Sequence, residues 1–308
     1  MEQYKYIYGP VPSRRLGISL GVSPIPEKTC NYSCLYCQLG RTNKLINTRK
    51  TFFEVNDIID ELKEYMKGNA TFNIITIVGE GEPTLYLKLG ELIDEIKKIT
   101  DIPVAVITNG SLFSEKSVRD ELMNADFVLP SLDAYSEETF KLINRPHGSL
   151  NFKSIIDGLI TFSKEYKGKL YLETMILKDI NDNEESILGL KKIIDLINYD
   201  RIYINVPARP PAESYIKKPS KEIIDKAITI LKGISIEQLV SSGFHSEITD
   251  NYDAIKSIIK RHPMNQYEIK AFLDSRDLEK HEKIFNELLN DKEIDLIEYK
   301  NYITYRLK

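Results

Sequence analysis

The sequence predicts an α/β fold: an open, curved barrel of six parallel strands with helices between them, followed by a small winged-helix-like unit. Three observations predict it. Short runs rich in β-branched residues alternate with stretches whose apolar residues recur at helical spacing. Helices between successive strands imply parallel pairing through right-handed crossovers. Six such units are too few for a standard eight-stranded closed barrel.

Leu16 to Val22 reads as the first strand and runs into a cysteine-bearing loop. Val55, Ile58, Ile59, Leu62 and Met66 form a helical face, and Phe72 to Val78 is a strand ending at Gly79. Leu89, Leu92, Ile93, Ile96 and Ile99 give the next helix, and Pro103 to Ile107 a strand ending at Thr108-Asn109-Gly110. Ser114 is expected to cap the helix that follows. Asp126 to Pro130 leads to Ser131-Leu132-Asp133, and helices at 152–166 and 183–197 flank the strand Leu170 to Thr174. Arg201 to Val206 is the sixth strand. The prolines of Pro207-Ala208-Arg209-Pro210-Pro211 exclude a helix or central strand, so 207–219 is a crossing segment or linker.

Beyond it the pattern changes. Helices are expected around Ile223 to Leu231, Tyr252 to Ile259, Tyr267 to Leu273 and Leu278 to Leu289. Ile294 to Tyr299 and Tyr302 to Arg306 flank Lys300-Asn301 as a hairpin. The division is therefore 1–218 for the barrel and 219–308 for the winged-helix-like domain.

Apolar residues make up 42% and charged residues 29% of the 308, a globular composition that excludes disorder. No apolar run approaches the roughly 20 residues that span a bilayer, and the N-terminus lacks the apolar core of a signal peptide. The expectation is a cytoplasmic protein with no membrane partner. A net charge of −4 exerts no global pull on nucleic acid. Within residues 1–50, however, eight Lys or Arg face two acids, a rim that attracts an anionic substrate. From Pro219 onward fourteen Lys or Arg stand against sixteen Asp or Glu, so that unit is a poor nucleic-acid binder by itself.

The three cysteines fall within eight residues, Cys30-Asn-Tyr-Ser-Cys34-Leu-Tyr36-Cys37. That spacing lets one short loop wrap one metal centre. A cubane [4Fe–4S] cluster takes four ligands, and three thiolates leave one iron open to a cofactor or substrate. Structural zinc wants four protein ligands, and no fourth cysteine or nearby histidine is present; zinc needs a distant His or a carboxylate. Polar residues gather at strand ends: Glu80 and Glu82, Thr108 and Asn109, Asp133, Thr174 and Asn205.

This cysteine spacing, with an aromatic before the last thiol, resembles the radical S-adenosylmethionine (SAM) superfamily. The resemblance implies one [4Fe–4S] cluster on Cys30, Cys34 and Cys37, and SAM as cofactor. It implies that Gly79, Glu80, Gly81 and Glu82 receive the SAM amino group and that the Tyr36 backbone lies against adenine. It places Thr108, Asn109, Asp133 and Thr174 near the methionine and ribose. It implies an oxidoreductase-like chemistry: a reduced cluster cleaves SAM to a 5′-deoxyadenosyl radical, which takes hydrogen from a substrate. A low-potential ferredoxin or flavodoxin is the implied electron donor. Gly9 to Gly17, Cys37-Gln38-Leu39-Gly40, Arg209 to Glu213 and His262-Pro263-Met264 resemble a poorly characterised group related to the wyosine-base synthases that modify tRNA. Those synthases hold a second cluster, for which this chain has no cysteines left.

Arg14, Arg15 and Arg209 are the candidates for substrate contact, with Glu213 a candidate partner for one of them. His147, His245, His262 and His281 are scattered, with no metal role expected. The leading expectation is a radical SAM enzyme acting on RNA or a nucleotide. The alternatives are a peptide-modifying enzyme that grips its partner with the winged helix, and a non-catalytic iron–sulfur sensor.

Overall fold

The computed structural model describes residues 4–236, 243–276, 281–299 and 302–308. Its strands are β1 (Ile7–Ser13), β2 (Gly17–Val22), β3 (Thr29–Cys30), β4 (Lys44–Leu45), β5 (Ile74–Ile77), β6 (Val104–Thr108), β7 (Phe127–Pro130), β8 (Lys169–Met175), β9 (Arg201–Asn205), β10 (Ile234–Ser235), β11 (Met264–Asn265), β12 (Ile294–Tyr299) and β13 (Tyr302–Leu307). Its helices are α1 (Val55–Tyr65), α2 (Leu89–Ile99), α3 (Lys116–Leu122), α4 (Glu137–Asn144), α5 (Phe152–Glu165), α6 (Glu184–Ile194), α7 (Lys221–Leu231), α8 (Asn251–Ile259), α9 (Gln266–Asp274) and α10 (Glu282–Asn290).

β2, β5, β6, β7, β8 and β9 lie side by side, all parallel. These are the six strands the sequence predicts. They read as near-continuous apolar runs because they are buried on both faces; Ile74–Ile77 is buried at every position. The apolar stripes of α1 and α2 (Ile58, Leu62, Leu92, Ile96) pack with Leu20, Ile75 and Val106 in the principal core.

Two strands extend the sheet beyond expectation. β1 joins antiparallel to β2, and β10 adds two parallel residues to β9. Pro10 and Pro12 hid β1 in the sequence, and an edge strand tolerates them because it need not donate at every position. Its register shifts between Tyr8 and Val11, where Gly9 takes a φ of 93°.

α4 was not legible either: it has eight residues and only two large apolar anchors, Phe140 and Ile143. Its start is fixed by Ser136, which accepts a hydrogen bond from the Thr139 amide. Ser114 does not cap α3. Buried Leu112 and Phe113 first close a tight turn, so the helix begins after Glu115, which makes no side-chain cap.

Ala227 and Leu231 of α7, which follows the expected division at 218/219, pack in the principal core. A second core gathers residues from Phe244 to Tyr305. There the order is α8, β11, α9, α10, β12, β13, with a three-stranded antiparallel sheet β11-β13-β12. α9 opens on a capping box between Asn265 and Glu268. The expected Lys300-Asn301 turn and the start of the helix expected from Leu278 lie outside the described residues.

Candidate functional site

Parallel strands end together, so the loops after β2, β5, β6, β7, β8 and β9 share one mouth. The longest of these carries the cysteines. It is tied down from three sides. β3 pairs with β4, and Thr29 bridges to Gly81 of the β5 loop. The buried Asn31 amide donates to Ser111 Oγ at 2.7 Å and Asn47 Oδ1 at 3.0 Å. The Ser33 and Leu35 amides donate to carbonyls of Asn144 (3.0 Å) and Ile143 (2.9 Å) at the end of α4. Gly40, at φ 88°, closes the turn by donating to the Cys37 carbonyl.

Cys30, Cys34 and Cys37 are free thiols, each half-buried, and all line one cavity of about 1300 Å³. Among the described residues no three His, Cys, Asp or Glu side chains converge on a single ion position. The donor set fits instead a group that takes its thiolates at separate metal atoms, as a cubane cluster does. Burial first of all pushes the three thiols up, with the Glu82 charge adding to it at Cys30 and the Asp133 charge at Cys34; a bound cationic metal would favour the thiolates.

Two of the sulfurs have amide neighbours. Asn109 Nδ2 lies 3.7 Å from Cys30 Sγ and Asn144 Nδ2 lies 3.5 Å from Cys34 Sγ. Asn109 was expected among the SAM contacts, but its amide also donates to Asn31 Oδ1 at 2.7 Å and so braces the cysteine loop. Asn144 had no sequence signal, because a helix-end asparagine reads as a cap.

The structure divides the predicted cofactor residues in two. Tyr36, Gly79, Glu80 and Gly81 line the cavity beside the thiols. Gly81 is required by close approach: a Cβ there would sit 1.6 Å from the Thr29 carbonyl oxygen. Glu80 is buried, and its Oε1 accepts no hydrogen bond, with Lys260 Nζ 3.5 Å away. That carboxylate oxygen, without a hydrogen bond and in only a loose ion pair, suits a cationic amine such as that of SAM. Glu82, Thr108, Asp133 and Thr174 are instead buried in the frame behind the cavity. Glu82 accepts from the Thr84 amide (3.0 Å) and hydroxyl (2.6 Å), the Thr108 hydroxyl (2.5 Å) and the Asn109 amide (2.7 Å). Asp133 accepts from the Tyr36 hydroxyl, Asn144 Nδ2 (2.9 Å) and the Met175 amide (2.9 Å). Thr174 donates to the Leu132 carbonyl at 2.8 Å. Burial pushes both carboxylates up despite these donors.

All three candidate arginines line the cavity. Arg14 is exposed and makes no hydrogen bond or ion pair among the described residues. Arg15 pairs with Glu173 of β8. Arg209 is held from the second unit: it donates to Glu268 through both terminal nitrogens at 3.0 Å, to the Pro263 carbonyl, and to His262 Nε2 at 3.2 Å. Glu213 pairs with none of them; it bridges Arg41 (2.8 Å) and Arg145, which hold its carboxyl down at about 2. Its amide also donates to the Leu35 carbonyl at 3.1 Å, so the 207–219 segment crosses onto the cysteine loop. His262 is half-buried in the cavity wall, and desolvation with the Arg209, Arg15 and Arg14 charges pushes it well below the usual histidine range. Sequence reasoning missed Tyr8, Arg261 and Tyr299, cavity-lining residues brought in by an unpredicted edge strand and by the second unit.

An open parallel barrel with three cysteines at its mouth defines a class. Residues 25–191 match the radical SAM superfamily, and the chain belongs to that superfamily of enzymes. More narrowly it stands with the UPF0026 proteins: that of Methanocaldococcus jannaschii is 37% identical over 307 residues, 97% of this chain and 94% of that one. A Brachyspira hyodysenteriae protein named GTPase Obg is 45% identical over 72% of this chain, which spans only 33% of that relative's length. The GTP 3′,8-cyclase of Limosilactobacillus fermentum is 27% identical over 56% of this chain and 48% of that one. A radical SAM methyltransferase from Sphaerobacter thermophilus shares the fold at TM-score 0.50 and 15% identity, over 70% of this chain and 64% of that one. The family implies a [4Fe–4S] cluster and SAM. No described helix is long and apolar enough to cross a membrane.

Proposed function

We propose that this enzyme works at a single [4Fe–4S] cluster on Cys30, Cys34 and Cys37, and that its substrate is anionic, a nucleotide or RNA. One observation carries the reading. The cavity that holds the three thiols is also lined by Arg14, Arg15, Lys28, Arg41, Arg209 and Arg261, against Glu80 and Glu268. Its volume of about 1300 Å³ exceeds the roughly 300–1,000 Å³ of an ordinary ligand pocket, which leaves room for a substrate beside SAM. The likeness to a GTP 3′,8-cyclase, whose name gives a nucleotide as substrate, supports the same class.

When bound, the cluster and SAM supply the radical chemistry, with a low-potential ferredoxin or flavodoxin as electron donor. The chain's own residues do the rest. Gly81 and Asn31 fix the cysteine loop, Glu80 offers to the SAM amine an oxygen that accepts no hydrogen bond, and Arg14 offers an uncommitted guanidinium to substrate phosphate. The helix–strand–helix–helix–strand–strand order of the second unit supports reading it as a winged helix. We read it as a cover, since Tyr299, Tyr302 and Thr304 close one side of the cavity.

Anaerobic reconstitution followed by incubation with SAM and a strong reductant tests the enzyme half. Formation of 5′-deoxyadenosine is expected, and its absence favours the sensor reading. Equilibrium dialysis tests the substrate half. Nucleotides or tRNA should bind above a neutral nucleoside control, with affinity falling as salt rises. Equal binding of the control sinks that half.

A further inference from the structure

The third sulfur has a different kind of neighbour. Arg306 reaches over from β13 of the second unit to the Cys37–Gly40 turn. A Cβ built on Gly40 would lie 3.6 Å from Arg306 Cζ and 3.8 Å from both of its terminal nitrogens. The guanidinium thus lies within van der Waals reach of that turn. The Arg306 side chain is only 12% exposed, and among the described residues its one ion pair is a loose 3.9 Å contact with Asp295, its cross-strand neighbour. Its Nε and NH1 are buried without any hydrogen-bond partner. A buried guanidinium left this way is costly unless an anion lies beside it. Lys28, the other cation facing Cys37, adds to the positive field there.

We propose that Arg306 is a positioning residue through which the second unit sets the reduction potential of the cluster. This rests on the cluster reading above. A cubane with three thiolates is net negative and gains one more negative charge on reduction. A fixed cation beside it stabilises the reduced form more than the oxidised form. Docking of the second unit therefore makes the electron easier to accept, and undocking makes it harder.

The test is a mediated redox titration of the reconstituted full-length protein, read by electron paramagnetic resonance of the reduced cluster. Arg306→Gln should lower the midpoint. At the wild-type midpoint the ratio of reduced to oxidised cluster should fall about tenfold, equivalent to about 59 mV for one electron. Arg306→Lys should recover most of the loss. Asp295→Asn, at an exposed position on the neighbouring strand, should move the midpoint the opposite way by freeing the guanidinium from its counter-charge. If Arg306→Gln fails to take up a cluster, Asp295→Asn decides alone: a raised midpoint supports the proposal and an unchanged one overturns it. Arg306→Gln with full cluster content and the wild-type midpoint also overturns it. A wild-type protein that takes up no cluster overturns the cluster reading, and the proposal with it.

Discussion

The side-chain amide of Asn144 stands 3.5 Å from Cys34 Sγ and 2.9 Å from the Asp133 carboxylate. One helix-end residue thus joins the Cys34 thiol to the carboxylate hub after β7. Asn144→Ala removes a buried donor from Asp133 and a side-chain donor from Cys34. Leaving such a group short of a partner costs about 1–3 kcal/mol. Urea denaturation should show a loss of that size; an unchanged midpoint would mean the amide is replaceable by water.

Each of Cys30→Ala, Cys34→Ala and Cys37→Ala should abolish SAM cleavage and reduce bound iron to background. The three thiols face one cavity, and no other cysteine exists in the chain to substitute. Iron analysis and 5′-deoxyadenosine release are the readouts, and turnover retained in any one variant shows that the ligand set is wrong.

Gly81→Ala should separate loop geometry from ligand chemistry. The new Cβ meets the Thr29 carbonyl, a backbone atom that cannot rotate away. The cost of such overpacking is typically about 1–3 kcal/mol. Here it displaces the strand that carries Cys30. Reconstituted iron content should fall while far-ultraviolet circular dichroism stays near wild type. Full iron content would show that the Thr29–Gly81 bridge is dispensable.

Glu213 gives a pH signature. Its folded carboxyl is held at about 2, below the roughly 4.3 of an unfolded glutamate. A depressed carboxyl contributes stability that is present above the unfolded value and lost as pH falls through the folded one. Wild type should therefore lose stability between about pH 5 and pH 2 more steeply than Glu213→Gln. Parallel acid titrations at fixed urea check this, and identical slopes would remove the bridge from the account.

Arg14 offers the cleanest substrate test, since it has no partner among the described residues to lose. Arg14→Ala should weaken nucleotide binding about tenfold, one charge-assisted hydrogen bond of roughly 1.5–3 kcal/mol, with thermal stability unchanged. It should also flatten the salt dependence of affinity. Unaltered binding and salt slope would move the anion site away from Arg14.

The sequence by itself determined the six parallel strands and the helices that follow them, because buried strands and amphipathic helices write their periods directly into the residues. It also located the cysteine loop, since three thiols at that spacing are a local feature. It could not show β1, whose prolines are tolerated only at a sheet edge, or α4, too short to display a period. Tertiary structure alone decided which strand-end polar groups face the cavity. Glu80 lines it with an oxygen that accepts no hydrogen bond, while Glu82, two residues on, is consumed by four donors from neighbouring loops. It also decided that Arg209 is clamped by Glu268, and that Arg306 settles against Gly40 from 266 positions away. Whether a charged side chain is free or spent depends on which partners the fold delivers to it, and those partners are distant in the chain.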